Sequence, residues 1–453
     1  MTSTNTPIGS SSTASVLQQA MQLHQQGQLD AAAQLYDQVP EGDPQRADAL
    51  HLHGVLCAQR RDFDQAHALI WQAVTLNPGE AMFHNNLANV CVEQQQFSAA
   101  ETLYVRAIEL DGGRLDALSN LGLLLDRTGR PDDAERLLRR AVELTPENPD
   151  FRQNLANQYM RMGRPADALQ QCHDGLVRAP RSRVLRGLLV LAYGTLGHQG
   201  EAEAVLRAWI SSDPADPYPQ HHLAAYTGDS VPDRAADAYV ANLFDGFAGS
   251  FDAKLADLSY KAPQHVADAL ARVLGAGGAG APGLNVLDAG CGTGLCGPLL
   301  APLLAPRSGR LTGVDLSEGM LRLAHRRGCY DDLFQAELVA FLGSRPLGFD
   351  AVVSADTLCY FGVLAGFAAA AQAALRPGGW LVFTVEALAD DAPEAGGCGY
   401  RLHPHGRYSH SRGHVVAVLQ GAGFISISAE PVFLRNEGGH AVQGWLVAAQ
   451  RRH

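Results

Sequence analysis

Small and apolar positions return every 34 residues through the first half of the chain. Alanine stands at Ala32, Ala66, Ala100, Ala134, Ala168 and Ala202. Ala20, Gly54, Ala88, Gly122 and Ala156 lie twelve positions before the first five of these, and a bulkier residue follows four after each: Tyr36, Ile70, Tyr104, Leu138, Cys172 and Leu206. Pro44, Pro78, Pro146, Pro180 and Pro214 come twelve after, with Gly112 filling the remaining slot. This period predicts stacked helix–turn–helix units. Small side chains let the paired helices approach closely, and proline stops each second helix so that the next unit begins.

The rhythm ends after Pro214. PYPQHHLAAYTGDS (217–230) predicts part of a capping helix that hides the last apolar face of the stack. A helical bridge is expected over 231–272, followed by a glycine-rich flexible loop, VLGAGGAGAPGL. From Asn285 the pattern changes. Short apolar runs (NVLDAG, LTGVDLS, FDAVVSAD, WLVFTVE) alternate with helical segments rich in Ala and Leu. That alternation specifies a parallel sheet covered by helices on both faces. FISISAE and VQGWLVAAQR follow with no helix between them and predict an antiparallel pair of strands.

Composition refines this picture without changing it. A chain of 453 residues exceeds one core. The expected division is a disordered 1–12, a repeat array over 13–230, the bridge over 231–272 and a sheet domain over 273–453. A net charge of −12 argues against nucleic acid as a partner. The apolar runs are too short to insert in a membrane. The first residues, MTSTNTPIGSSST, lack the basic and apolar regions of a signal peptide. Eight cysteines without a CxxC pair fit a reducing cytoplasm and no zinc site. HPHGRYSHSRGH (403–414) carries four histidines but matches no ligand spacing, so it reads as a substrate-facing or solvated loop and no metal is expected.

The 34-residue pattern resembles the tetratricopeptide repeat family over roughly residues 13–216. By that resemblance the first helix of each unit faces a concave groove, where Asn86, Asn120 and Asn154 occupy one position and Asn89 and Asn157 recur three residues on. A ladder of amides there suits the main chain of an extended protein or peptide partner.

The segment Leu287-Asp288-Ala289-Gly290-Cys291-Gly292-Thr293-Gly294-Leu295 follows a strand and opens a helix. Its glycines let backbone approach a ligand. A dinucleotide fingerprint needs glycine where Leu295 stands. An acidic residue two before GxGxG resembles instead the class I S-adenosylmethionine-dependent methyltransferases, and LRPGGWLVF (375–383) and the terminal strand pair match that family too. The resemblance covers about residues 240–450. It implies a cofactor site made of Asp288, Ala289, Gly290, Cys291, Gly292 and Gly294. Asp315 would hold the ribose, Leu316 and Met320 pack on the adenine, and Glu337 lie near its amine. Phe247, in the aromatic lead-in FDGFAGSFD, stands where a tyrosine is common.

Three side chains are candidates for accepting a proton or orienting the acceptor: Asp356, Tyr360 and His410. The expected whole is an all-α tetratricopeptide superhelix followed by an α/β, Rossmann-like methyltransferase fold, mostly parallel with an antiparallel last strand. The repeats would recruit a protein or peptide substrate or partner. Ser354-Ala355-Asp356-Thr357 is not the Asn-Pro-Pro-Tyr type of sequence that goes with amino methylation of bases. The alternatives are a small-molecule methyltransferase whose repeats serve assembly, and a scaffold that binds cofactor without catalysis.

Overall fold

The computed structural model describes residues 10–275, 283–389 and 397–453. Contacts divide the chain into two compact units, Met1–Ala202 and Glu203–His453.

The first unit is a series of antiparallel helix pairs: α1 (Ser10–Gln25) with α2 (Leu29–Asp37), α3 (Arg46–Gln59) with α4 (Phe63–Leu76), α5 (Ala81–Glu93) with α6 (Phe97–Leu110), α7 (Leu115–Arg127) with α8 (Pro131–Leu144), and α9 (Pro149–Arg161) with α10 (Pro165–Arg178). Next come α11 (Arg183–Thr195) and α12 (Gln199–Ser212), and the boundary between units falls inside α12. All six periodic alanines are fully buried. The small partners are required by contact. A Cβ added at Gly54 would lie 2.5 Å from Ile70 Cγ1, and one at Gly122 would lie 3.0 Å from Leu138 Cγ. Pro78, Pro146, Pro180 and Pro214 each sit two residues beyond a second helix, where no N–H is needed. The helix of the first pair starts at Ser10, earlier than the expected end of the lead at residue 12; residues 1–9 of that lead lie outside the described residues.

The second unit begins with α13 (Pro217–Thr227), α14 (Asp237–Phe247), α15 (Phe251–Asp257) and α16 (Ala262–Gly275). The unit boundary thus precedes the position expected at 230. The reason is α13, whose His221 and His222 bond to the carbonyls of Gly406 and Pro404, both at 2.9 Å. The glycine-rich loop expected after 272 lies largely outside the described residues.

The sheet comprises β1 (Asn285–Ala289), β2 (Arg310–Asp315), β3 (Asp332–Gln335), β4 (Phe349–Ser354), β5 (Leu375–Leu388), β6 (Tyr400–Leu402), β7 (Tyr408–Ser411), β8 (Phe424–Glu437) and β9 (His440–Arg451). β3, β2, β1, β4 and β5 run parallel in that order. β5 is long enough to take two neighbours. Its first part pairs antiparallel with β9, which carries β8, and its end pairs parallel with β7. Helices α17 (Gly297–Leu304), α18 (Glu318–Arg326), α19 (Leu338–Gly343), α20 (Ala365–Ala374) and α21 (Arg412–Gly421) complete the unit. Strand alternation assigns the two faces. Leu287, Val352 and Leu381 share a core with α19, α20 and α21, whereas Val286, Ala351, Val353 and Val382 share one with α16 and α17. Ligands of such sheets bind beyond the carboxyl ends of the strands. There the loops after β1, β2 and β4 meet.

Candidate active site

The loop after β1 turns back on left-handed glycines, Gly290 at φ +76°, Gly292 at +54° and Gly294 at +83°. Its backbone is pinned to the neighbouring strand, since the N–H groups of Gly290 and Cys291 both donate to the Val314 carbonyl, at 2.8 and 3.0 Å. A Cβ at Gly290 would strike Thr357 Oγ1 at 2.2 Å, and one at Gly294 would meet the Tyr330 ring at 2.9 Å. A Cβ at Gly292 would meet nothing within 4 Å, and that residue lines a cavity of about 420 Å³. Two glycines therefore allow packing and the third leaves space.

Asp315, at the end of β2, also lines the cavity. Oδ2 accepts the Gly292 N–H at 2.8 Å and Oδ1 accepts the Ser317 N–H at 2.9 Å. Burial pushes this carboxyl up, and the backbone donors pull it back. The carboxylate is held rigidly, with lone pairs left for a ligand diol. Leu316 lies beside it in the wall, as does Glu337. Glu337 is committed to capping α19: it accepts the N–H groups of Val339 (3.0 Å) and Ala340 (2.7 Å) and faces Arg234 at 3.6 Å.

Several expected cofactor residues lie behind the wall and do not line the cavity. Asp288 is buried under the loop, where Oδ2 accepts the Tyr330 hydroxyl at 2.7 Å, and burial pushes its carboxyl up to about 7. Ala289, Gly294 and Met320 are likewise absent from the lining. Met320 is fully buried on α18. Cys291 does line the cavity, with its thiol pushed well up by burial, and so acts as a protonated filler.

The aromatic lead-in roofs the cavity through Phe244, Phe247 and Phe251. Two carboxylates that the sequence reading left aside fasten it. Asp245 Oδ1 accepts the Ser317 hydroxyl at 2.5 Å and the Gly319 N–H at 3.1 Å, at the start of α18. Asp252 accepts the Thr293 hydroxyl at 2.5 Å and pairs with Arg327 at 2.5 Å. The face of Phe247 is taken by the Lys254 ammonium, 4.2 Å from the ring centroid.

The three catalytic candidates separate. Asp356 follows β4 at φ +58° and lines the cavity. Its N–H donates to Thr384 Oγ1 at 2.9 Å and its Oδ2 pairs with Arg435. Tyr360 also lines the cavity, edge-on to Phe244 with centroids 5.5 Å apart. His410 does not. It is fully buried on β7, with Nε2 bonded to the Gly362 carbonyl at 3.1 Å, and burial lowers its pKa to about 4. It is a neutral core histidine, because β7 is an inserted strand and not a surface loop. From the same histidine run, His405 and Arg407 reach the wall. Tyr260 and Arg435 complete it; the sequence singled out neither, since their neighbours come from distant segments.

In the repeat unit the asparagines bond mainly to one another and to the preceding repeat. Asn86 Nδ2 meets His51 Nε2 at 2.8 Å, Asn120 Nδ2 donates to Asn85 Oδ1 (3.3 Å) and Asn89 Oδ1 (3.1 Å), and Asn154 Nδ2 donates to Ser119 Oγ at 2.8 Å. Asn89 Oδ1 also accepts the Tyr104 hydroxyl. The ladder thus welds neighbouring repeats; Asn89 is exposed, and Asn86, Asn120, Asn154 and Asn157 are half-buried.

Tetratricopeptide-repeat profiles match residues 79–147 and 127–189, and a methyltransferase-domain profile matches residues 287–381. Methyltransferase-like protein 27 of Homo sapiens is 34% identical over 146 residues, which make up 31% of this chain and 54% of that protein. Ubiquinone biosynthesis O-methyltransferase of Methylocella silvestris is 34% identical over 100 residues, 21% of this chain and 38% of that protein. The structure of PilF from Pseudomonas aeruginosa aligns with a TM-score of 0.40 at 18% identity, covering 47% of this chain and 96% of that one. The chain spans about half the length of the human relative and less of the bacterial enzyme.

Proposed function

With tetratricopeptide repeats and a methyltransferase domain joined in one chain, we propose that the protein is an S-adenosylmethionine-dependent methyltransferase whose repeats recruit a protein or peptide. The observation that carries this reading is the pairing of the open Gly292 with a carboxylate, Asp315, fixed by two backbone donors at the edge of the same cavity. Gly292 admits ligand backbone-close, and Asp315 is oriented to accept from vicinal hydroxyls. When bound, the cofactor supplies a methyl group already activated on a sulfonium. The protein's work is then alignment and exclusion of water. The roof formed by Phe244, Phe247 and Phe251 supplies the second. Asp356 stands in the wall to take an acceptor's proton and Tyr360 to orient the acceptor.

Methyl-labelled cofactor incubated with the protein and a cell lysate tests the acceptor. Label in macromolecules supports a protein or peptide acceptor. Label confined to small metabolites favours a small-molecule enzyme with repeats for assembly. Cofactor binding without any transfer favours a scaffold.

A further inference from the structure

Beyond the cofactor loop, Asp356, Arg407, Arg435 and Glu437 line the cavity and join the buried Glu386, which does not line it, in a cluster of five charged side chains drawn from four separate segments. Arg435 commits all three guanidinium nitrogens: Nη1 to Asp356, Nη2 to Glu386 and Nε to Glu437 at 3.2 Å. Arg407 donates through Nε to Glu386 at 2.6 Å and through Nη2 to Glu437 at 2.5 Å. Two cations thus face three carboxyl groups; burial raises that of Asp356, and the Arg435 and Arg407 charges pull it back down. Of the other cations that line the cavity, Arg234 pairs with Asp237 and faces Glu337, and Lys254 lies over the Phe247 ring. Burial lowers His222 to about 4 and raises the Tyr260, Tyr360 and Cys359 hydroxyl and thiol groups, so these four are neutral near pH 7, and His405, though exposed at its surface, is lowered as well with the Arg407 charge beside it.

One atom in this cluster is unsatisfied. Asp356 Oδ1 is buried and has no hydrogen-bond partner among the described residues. Leaving such an acceptor unpaired costs about 1–3 kcal/mol, and more when it is charged. The residue is also held in the sparsely populated left-handed region, at φ +58°. Both features are bound into the surrounding structure, through Thr384 on one side of the residue and Arg435 on the other. Asp356, Cys359 and Glu386 offer ligand atoms within 4.8 Å of one another, but the Arg435 guanidinium already occupies the cation position between the two carboxylates.

We propose that the acceptor of this enzyme is an amine, bound as an ammonium group that donates to Asp356 Oδ1 and gives that proton up to the carboxylate, which frees the nitrogen lone pair to take the methyl group. The inference rests on the methyltransferase reading for the word acceptor and on this cluster for its chemistry. An anionic acceptor meets an excess negative charge and an Arg435 whose three nitrogens each already hold a carboxylate. A hydroxyl satisfies the orphan oxygen but leaves the excess charge uncompensated. An ammonium group does both, and the aromatic residues Tyr260, Tyr360 and Phe244 line the same cavity. A lysine side chain and a free small amine share this chemistry.

The test is calorimetric titration of the full chain, saturated with S-adenosylhomocysteine, with benzylamine, benzyl alcohol and phenylacetate. Benzylamine is expected to bind at least tenfold more tightly than phenylacetate and more tightly than the alcohol. In Asp356→Asn the amine preference should fall at least tenfold while S-adenosylhomocysteine affinity stays within about twofold. Equal or weaker binding of benzylamine, including no measurable binding, overturns the proposal, as does a preference that survives in folded Asp356→Asn. The wild-type series decides the matter even if the variant fails to fold. Nα-acetyl-lysine amide in the same series assigns the amine to a peptide if it outcompetes benzylamine, and to a free amine if it does not; either outcome supports an amine. A chain that does not bind S-adenosylhomocysteine contradicts the cofactor reading instead, and the amine preference is then judged on the free chain.

Discussion

At the scale of single residues, Asp288 carries the clearest energetic signature. Its carboxyl is buried beneath the glycine loop and holds the Tyr330 hydroxyl, whose ring fills the space that Gly294, Gly297 and Gly313 leave open. Burial raises the folded pKa from 3.8 to about 7. Between those values the folded state holds a proton that the unfolded chain has released. Stability from this group is therefore complete below the unfolded pKa and is lost as pH rises through the folded one. Asp288→Asn keeps an oxygen for Tyr330 and removes the cost of ionisation. Denaturant titrations should find the variant gaining about 1–3 kcal/mol on wild type between pH 5 and pH 8. A difference that does not change with pH would show that the carboxyl is ionised throughout. Asp288 and Asp315 were both legible in the sequence as acidic residues at strand ends. Their division of labour, one supporting the loop and one facing the cavity, was not, because it depends on where Tyr330 comes to lie.

Among the elements, the repeats were the most legible, since close helix contact leaves a spacing that survives any surface variation. Gly54→Leu should accordingly destabilise the array by about 1–3 kcal/mol in thermal or denaturant unfolding, through its collision with Ile70. A neutral effect would mean that α3 and α4 separate freely. Strands β1, β2, β4 and β5 and the β8–β9 pair were also readable, as apolar runs of the right length. β3 was not, because its four residues, Asp332–Gln335, are only partly buried or exposed and lack an apolar pattern. The β6–β7 hairpin was read as a loop because its histidines mask a short buried strand. Arg407 and Arg435 carry almost no local signal, since all their partners except Glu437, two residues from Arg435, lie 21 to 79 residues away and only the topology joins them. The roof segment makes a further prediction. Asp252→Ala removes the bonds to Thr293 and Arg327, so amide hydrogen exchange over 237–257 should quicken about 5- to 10-fold, equivalent to about 1–1.4 kcal/mol. Unchanged protection there would show that Asp245 alone fastens the roof.

For the whole molecule, the division inside α12 makes α13 part of the second unit. Ala224 packs with Leu402 and Tyr408, and the two histidine bonds to residues 404 and 406 tie the helix to the loop that brings His405 and Arg407 to the cavity. A chain beginning at Val231 should therefore melt several degrees below one beginning at Glu203, with about 2–4 kcal/mol lost from apolar burial and hydrogen bonds. Equal melting temperatures would show that α13 belongs energetically to the repeats. No helix among the described residues is long and apolar enough to cross a membrane. The enzymatic reading of the molecule reduces to whether Gly292 and Asp315 hold S-adenosylmethionine. Calorimetric titration of the full chain with that cofactor, alongside NAD and the Asp315→Ala variant, measures this directly. Saturable one-to-one binding of S-adenosylmethionine is expected, with no heat from NAD and at least tenfold weaker binding in the folded variant. Binding of NAD in its place, or wild-type affinity in Asp315→Ala, would contradict it.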